Sequence, residues 1–381
     1  MKRKQVALLI ETSNSYARGI LRGIRTYIRE HQNWSITIRE HSRGKPDADW
    51  WSNWRGHGII ARIENSNIKD IITRLNLPTI DVSAAGLIKN IPWVETNDQA
   101  IAELAADHLI GRGFKNFAYY GDPYFNWSNW RFEAFAERLL KENYSCDAHM
   151  KSSVSDKTIQ SQKDQKRLIE WLQKLRKPVG IMACYDIYGL HLLEACRLAD
   201  LAVPDQVSII GVDNDELLCD LADPPLSSVI PDTHQTGYVA AALLDRLFSH
   251  QPISTKAHLI SPIGIAQRLS TDVLAIEDEF VAKAVRFIRD NACDNIKVND
   301  ILEVVPLSRR ALEGRFRKLL RRTPHEEILR VKLSRVKQLL TETDLSLSII
   351  AERTGFDHVE YLSAMFKKNT GVPPSQYRLN A

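Results

Sequence analysis

The sequence predicts a chain of two structural classes. A two-lobed α/β part, each lobe a doubly wound parallel sheet, is followed by an all-α part holding two helix-turn-helix units in tandem. Three observations carry this expectation. From residue 5 to about 265, short apolar runs alternate with helical patterns, and such alternation implies parallel sheets covered by helices on both faces. The last hundred residues carry helical periodicity alone, broken twice by a short turn. Charge divides at the same place: from Phe280 onward there are 19 Lys and Arg against 12 Asp and Glu, an excess of 7, while the whole chain stands at +4 and the remainder therefore at −3. A basic end of this kind suits a polyanion.

Taken in order, Val6–Ile10 is predicted as a strand and Tyr16–Arg29 as a helix, followed by Gly58–Ile63 (strand), Ile68–Leu75 (helix) and Thr79–Val82 (strand). Ala100–Arg112 then has helical spacing and Phe117–Tyr120 is extended. A second series places helices at Asn129–Leu140, Gln165–Leu175, Gly189–Leu198 and Thr236–Phe248, with strands at Val179–Cys184 and Val207–Val212. Short continuous apolar runs are what strands covered on both faces require. Two series, each too large for one minimal unit, predict two lobes.

At 381 residues and 44% hydrophobic content, the chain can fill more than one core. Lys2, Arg3 and Lys4 begin like a secretory leader, but the apolar run ends after five residues at Glu11 and reads as a first strand. No apolar stretch approaches the roughly 20 residues that span a bilayer. A cytoplasmic protein without membrane contact is expected. Cys146, Cys184, Cys196, Cys219 and Cys293 are odd in number and lack a CxxC spacing, the pattern of reduced thiols rather than of a disulfide or zinc framework. No GxxxxGK[ST], GxGxxG or HExxH occurs, so neither a cofactor, a metal nor a catalytic residue is expected.

In the first helix-turn-helix unit, Val298–Val305 is the supporting helix, Pro306-Leu307 the turn, and Ser308 the cap of a helix over Arg309–Leu319, whose Leu312, Phe316 and Leu319 mark a buried stripe. Arg309, Arg310, Glu313 and Arg317 fall on its outward faces. A recognition helix meets base edges with its first turns, which makes Arg310 the leading base reader, since a guanidinium contacts guanine O6 and N7 together. Glu313 is a second candidate. Arg309, Arg317, Lys318, Arg321 and Arg322 are placed on phosphates.

In the second unit, Ile349, Ile350 and Ala351 support a turn at Gly355, and a helix runs from about His358 to Asn369. Tyr361, Leu362, Met365 and Phe366 are its expected core stripe. His358, Val359, Glu360 and Ser363 then face bases, with Lys367 and Lys368 toward phosphates. For Glu360, accepting from a cytosine amino group and folding back locally are equally open. Pro324–Leu340, with no internal Pro or Gly, is one linking helix.

Read together, Leu307–Leu312, Phe316–Leu320, the linking helix, Ile350–Phe356 and Pro374–Arg378 resemble AraC/XylS-type regulators throughout. The resemblance implies two recognition helices entering successive major grooves, about 34 Å apart. The stretch Asp98–Gly113, Arg131–Phe135, Ile181–Asp186, Val207–Asn214 and Arg268–Thr271 resemble the effector domains of LacI/GalR-type repressors, which are similar to periplasmic sugar-binding proteins. This implies three crossings between lobes: an effector and dimerisation domain over 1–263, with lobes at about 1–110 plus 232–262 and at 111–231, a linker at 264–278 and a DNA-binding domain at 279–381.

The pairing of the two resembles regulators of the xylose-operon type, through Leu9–Arg18, Gly211–Leu217, Leu226–Val229, Arg268–Asp272 and Ile296–Leu302. It implies a transcription activator of sugar catabolism, with operator DNA, a sugar such as xylose or a related pentose, a second copy of the chain and RNA polymerase as partners. Two loops depart from the type: Thr96-Asn97-Asp98 stands for Thr-Asp-Asn, and Glu11–Asn14 for Asn-Ala-Asn-Lys.

A pentose needs carboxylates and amides around its hydroxyls, a bidentate Arg and an aromatic face against its C–H surface. Loops at strand carboxyl ends bring such groups into the interlobe crevice. The candidates are Ser13, Asn14 and Tyr16 after the first strand, Asn97 and Asp98 before the helix at Ala100, Arg131, Asp186, and Asp213 with Asn214. Phe125, Trp127 and Trp130 are candidate walls. An enzyme of sugar metabolism, a secreted sugar-binding protein and a constitutive DNA-binding protein are the competing classes. The missing motifs, the absent leader and the basic end disfavour the first two.

Overall fold

The computed structural model describes residues 3–31, 34–39, 48–151, 162–272 and 278–379, and divides into two units, Met1–Val273 and Leu274–Ala381. In the first unit the strands are β1 (Lys4–Leu9), β2 (Trp34–Ile38), β3 (Gly58–Ala61), β4 (Thr79–Asp81), β5 (Trp93–Thr96), β6 (Asn116–Gly121), β7 (Cys146–Met150), β8 (Val179–Ala183), β9 (Val207–Val212), β10 (Ser227–Ile230), β11 (Ala257–Ile260) and β12 (Gly264–Ala266). The helices are α1 (Ser15–His31), α2 (Ala48–Asn53), α3 (Ser66–Leu75), α4 (Asp98–Gly111), α5 (Asn126–Lys141), α6 (Gln162–Lys174), α7 (Asp186–Leu198), α8 (Glu216–Leu221) and α9 (Thr233–Phe248).

Two six-stranded sheets result, ordered β11-β5-β4-β3-β1-β2 and β12-β10-β9-β8-β6-β7. Among the described residues all pairings are parallel except β10 with β12. β3, β8 and β9 are buried along their whole length, as sheets covered on both faces demand. The strands absent from the sequence reading are those without such runs. β7 is a polar edge strand, Cys-Asp-Ala-His-Met. β10 buries Ser227 and Ser228, whose hydroxyls are satisfied by the Arg268 carbonyl at 2.9 Å and Asp186 at 2.6 Å.

The first lobe is tied together by α1 against α9. Their backbones approach so closely that a Cβ on Gly23 would lie 1.9 Å from the His234 carbonyl oxygen, and one on Gly237 2.0 Å from that of Ile20. Only glycine fits such a crossing.

The lobe boundaries correct the expectation in two places. Helix α4 packs on α5 and against β8, β10 and β12, so it belongs to the second lobe and the first crossing falls before Asp98, not near residue 110. Gly264–Ala266 is a strand of the second sheet, and Ser270 lies buried, donating to the Ile209 carbonyl at 2.6 Å. Residues 264–272 are therefore sheet and core rather than linker; 273–277 lie outside the described residues.

The second unit contains α10 (Glu279–Asn291), α11 (Val298–Val304), α12 (Arg309–Leu320), α13 (Pro324–Glu342), α14 (Leu347–Arg353), α15 (Val359–Thr370) and α16 (Pro374–Leu379). Asp278, Ser308, Thr323 and Ser346 cap the helices that follow them, Thr323 reciprocally with Glu326 and with Pro324 in the first turn. Gly355 and Gly371 take left-handed conformations after α14 and α15. Two apolar cores form, one around Ile288, Ile301, Leu312 and Phe316, the other around Val336, Ile350, Leu362 and Phe366. In the first stripe Leu320 is buried while Leu319 is only half-buried. Tyr361 is 50% exposed and lies beside Phe356 instead of completing the second stripe.

Candidate ligand cleft and nucleic-acid interface

Because parallel strands end on one side, their carboxyl ends collect the charged loops of both lobes. They enclose a cavity of about 180 Å³ lined by Ser13, Asn14, Tyr16, Arg62, Glu95, Trp127, Arg131, Tyr185, Asp186, Asp213 and Asp215, among others. That volume is many times the roughly 10–15 Å³ that a single water needs, the scale of a small ligand.

From the first lobe, Arg62 follows β3 and is 8% exposed. It pairs with Glu11 and, at 2.8 Å, with Glu64. Burial opposes its charge, but Glu64 and Glu11 outweigh burial and hold the guanidinium above its ordinary pKa. Tyr16 lies under Arg62, 5.2 Å from ring centroid to guanidinium, and donates to Glu95 Oε1 at 2.8 Å. Thr96 donates to the same oxygen through its hydroxyl and its amide, each at 3.0 Å. Burial, then the neighbouring Asp98, pushes Glu95 up to about 7. Asn14 caps α1 by accepting from the Ala17 amide at 2.7 Å and donates to Glu11 at 3.0 Å.

From the second lobe, Arg131 sits on α5, one turn after Trp127, with its guanidinium 5.0 Å from that ring. Its Nε donates to Asp98 Oδ1 and its Nη1 to the Cys184 carbonyl, both at 2.6 Å. Burial opposes its charge too, and Asp98 with Asp213 outweighs it. Asp186 accepts from Ser228 Oγ at 2.6 Å and from the Asp215 amide at 2.8 Å. Burial, then Asp213, drives its carboxyl up to about 8. Asp213 itself has φ +103, a sparsely populated backbone for a residue with a Cβ.

The arrangement offers two fixed guanidinium donors, one from each lobe, several carboxyl groups and the aromatic side chains of Tyr16, Trp127 and Tyr185. Hydroxyls both donate and accept, so a neutral polyol matches this mixture.

Of the candidates, Ser13, Asn14, Tyr16, Arg131, Asp186 and Asp213 line the cavity. Three candidates do not. Asn97 caps α4, accepting from the Ala100 amide at 3.1 Å. Asp98 stands behind Arg131 as its counter-ion. Asn214 accepts from Arg268 Nη1 at 2.9 Å, an internal tie. The sequence reading missed Arg62, Glu95, Tyr185 and Asp215; Arg62 fell inside the predicted strand Gly58–Ile63, whereas β3 ends at Ala61 and leaves Arg62 in the loop that follows. Trp127 does form a wall, and Phe125 stacks on it at 5.1 Å, whereas Trp130 is 37% exposed.

In the helical unit, Arg309 and Arg310 open α12 on its exposed side. Arg309 pairs with Glu313 at 3.1 Å, which turns Glu313 away from the role of a free acceptor and leaves Arg310 foremost. Arg317, Lys318 and Arg321 are exposed, the last as a left-handed C-cap. Arg322 departs from the expected phosphate set, because it pairs at 3.1 Å with Glu327, whose side chain is buried. His358, just before α15, and Glu360 in its first turn are exposed, Ser363 is half-buried, and Lys367 and Lys368 are exposed at the far end. Val359 packs against the second core, so it supports the helix rather than facing bases.

A two-lobed ligand-binding α/β domain joined to paired helix-turn-helix units defines a DNA-binding transcription regulator. Residues 106–271 match the periplasmic binding protein-like domain, 301–380 a helix-turn-helix domain, and 5–98 the XylR N-terminal domain. The chain is 34% identical to the xylose operon regulatory protein of Haemophilus influenzae over 99% of its own length and 98% of the relative's. It is 32% identical to that of Escherichia coli K12 over 99% and 97%. The solved structure of the xylose-binding transcription activator XylR superposes with a TM-score of 0.84 at 31% identity, covering 99% of this chain and 98% of that one. The chain belongs to the family of xylose operon regulatory proteins.

Proposed function

We propose that the interlobe cavity binds D-xylose or a closely related pentose, and that the sugar-bound protein, as a homodimer on operator DNA in the cytoplasm, activates sugar-catabolism genes with RNA polymerase. The observation that carries this reading is the pair of buried guanidiniums, Arg62 and Arg131, each held by carboxylates of its own lobe and both facing one cavity of about 180 Å³. Ligands that bridge two lobes favour the closed arrangement, and a shift of population follows only if the closed state binds more tightly. The names of the full-length relatives, xylose operon regulatory proteins, support the choice of sugar.

On DNA, Arg310, His358, Glu360 and Ser363 are the proposed base contacts, with Arg309, Arg317, Lys318, Arg321, Lys367 and Lys368 on phosphates. Ser13, Asn14, Tyr16, Arg62, Glu95, Trp127, Arg131, Asp186 and Asp213 are the proposed sugar contacts. Calorimetry of the full chain with D-xylose, other pentoses and their hexose analogues tests the sugar. Saturable binding of a pentose with weaker binding of the hexoses is expected, and absence of heat with every sugar would leave a regulator whose effector domain no longer senses one. Sedimentation of the protein with and without DNA tests the dimer.

A further inference from the structure

The two helix-turn-helix units have separate apolar cores. The first takes Ile328 and Val331 from α13, the second Leu333, Val336, Leu339 and Leu340. Apart from α13 itself, the units need some other tie to hold α12 and α15 at a fixed angle.

That tie is polar. Lys332, on α13 between the two apolar sets, is only 8% exposed. Its ammonium donates to the Gly355 carbonyl, in the turn of the second unit, and to Asn295 Oδ1 at 3.5 Å, in the loop before α11 of the first. Asn295 returns the link by donating to Asp357 at 3.1 Å. The ammonium also lies 5.4 Å from the centre of the Phe356 ring. At Gly355, where φ is +68, a Cβ would sit 2.5 Å from the Cys293 carbonyl oxygen, so the turn of one unit touches the backbone of the other. A buried ammonium is costly unless its donors are bound, and here the acceptors come from both units.

We infer that Lys332 is a positioning residue for DNA recognition: its clamp on Gly355 and Asn295 fixes the spacing and angle of the two recognition helices, and so the half-site spacing that the protein accepts. This rests on the reading that α12 and α15 enter successive grooves of one duplex, where centres stand about 34 Å apart. A loose clamp leaves each helix able to bind but lets the pair tolerate altered spacing.

The test uses the full-length protein and the duplex that it selects from a randomised pool, together with the same duplex carrying about two extra base pairs between the two contacted segments. For the parent, the insertion is expected to weaken binding about tenfold or more, which corresponds to about 1.4 kcal/mol or more. Lys332→Met is expected to bind the selected duplex about tenfold more weakly and to lose most of the spacing penalty, and Lys332→Arg to restore it. If Lys332→Met keeps the parent's full penalty, the clamp is wrong while the two-groove reading stands. If the parent itself ignores the insertion, the two-groove reading fails and takes the clamp with it. Should Lys332→Met lose cooperative unfolding, the exposed pair Asn295→Ala and Asp357→Ala decides by the same comparison, because it cuts the link without touching the core.

Discussion

The cleft and the DNA-facing helices both work with charge, in opposite ways. In the cleft the charges are buried and already paired: Arg131 with Asp98, and Arg62 with Glu64 and Glu11. On α12 and α15 the proposed contacts stand in water, as Arg310, Lys318, Lys367 and Lys368 do. A cleft that must choose one small polyol needs donors fixed before the ligand arrives, since ordering them afterwards costs affinity. A helix that meets a polyanion can leave its cations mobile, because counterion release supplies much of the affinity. Mutations should therefore harm folding and function together in the cleft, and function alone on the helices.

The largest expected effect breaks a cleft pair. Arg131→Ala leaves Asp98 buried without its cation, and removal of one partner of a buried pair costs about 3–5 kcal/mol. Urea unfolding should show that loss in the full-length protein, with sugar binding abolished. Arg310→Ala, by contrast, should stay within about 0.5 kcal/mol of the parent, as surface substitutions do. Equal stability losses in the two variants would erase the distinction between the regions.

Next in size, Asp213→Ala should weaken binding of the cognate sugar by about 2–4 kcal/mol, roughly thirtyfold to a thousandfold, by leaving hydroxyls unpaired. Sugar-free DNA binding should persist. Calorimetry with D-xylose checks the first and a gel-shift titration the second; unchanged sugar affinity would place the ligand elsewhere.

The same contrast governs what could be read from the chain. The helical unit was legible because each recognition unit is continuous: in the first, Ser308 and the stripe at Leu312 and Phe316 announce cap and core, and in the second, Ile350, Ala351 and Gly355 announce core and turn, each within a few residues. Its errors in the core stripes, Leu319 for Leu320 and Tyr361 as core, are shifts within one helical turn, while Val359 and Arg322 were misassigned because packing and a tertiary ion pair, not local pattern, decide them. The cleft is assembled from loops after β1, β3, β8 and β9, from β5 and from α5, so no local pattern marks it. Residue type alone cannot separate a pocket ligand from a cap or a counter-ion. Asn97 and Asp98 look alike in sequence, yet one ends as the cap of α4 and the other as the partner of Arg131. Arg62 was passed over because its distant partner, Glu11, meets it only when β1 and β3 pair.

On the helices, Arg310→Ala should relax preference at one base pair at a cost of about 1–3 kcal/mol, whereas Lys367→Ala should weaken all duplexes alike and lower the salt slope by about one. Binding to selected and random duplexes over a salt series separates the two. Equal loss on both duplexes for Arg310→Ala would make it another phosphate contact.

The smallest expected effect sharpens the contrast through pH. Asp186 and Asp81 are both raised to about 8, chiefly by burial, and Glu95 to about 7. A carboxyl whose folded pKa exceeds its unfolded value binds more protons when folded, so stability falls as pH rises between the two values. Below about 6.5 His108 and His191 oppose this, since burial lowers them to about 3 and about 4 and favours the neutral folded form as pH rises. From pH 6.5 to 8 the carboxyls act alone among these groups, and the sugar-free effector domain should lose stability as pH rises, Glu95's share ending as pH passes about 7 and that of Asp186 and Asp81 as it passes about 8. In the helical unit the sign reverses. Glu326 is lowered by its bonds from the Thr323 amide and hydroxyl, so its contribution is present above about 4.5, the ordinary value, and is lost only as pH falls through its folded value. Hydrogen exchange on the full-length protein, corrected for intrinsic rates, should show β5 and β9 amides losing protection from pH 6.5 to 8 while α13 amides keep theirs. Asp186→Asn should flatten the trend at β9, and an undiminished slope in that variant would assign the pH dependence to other groups.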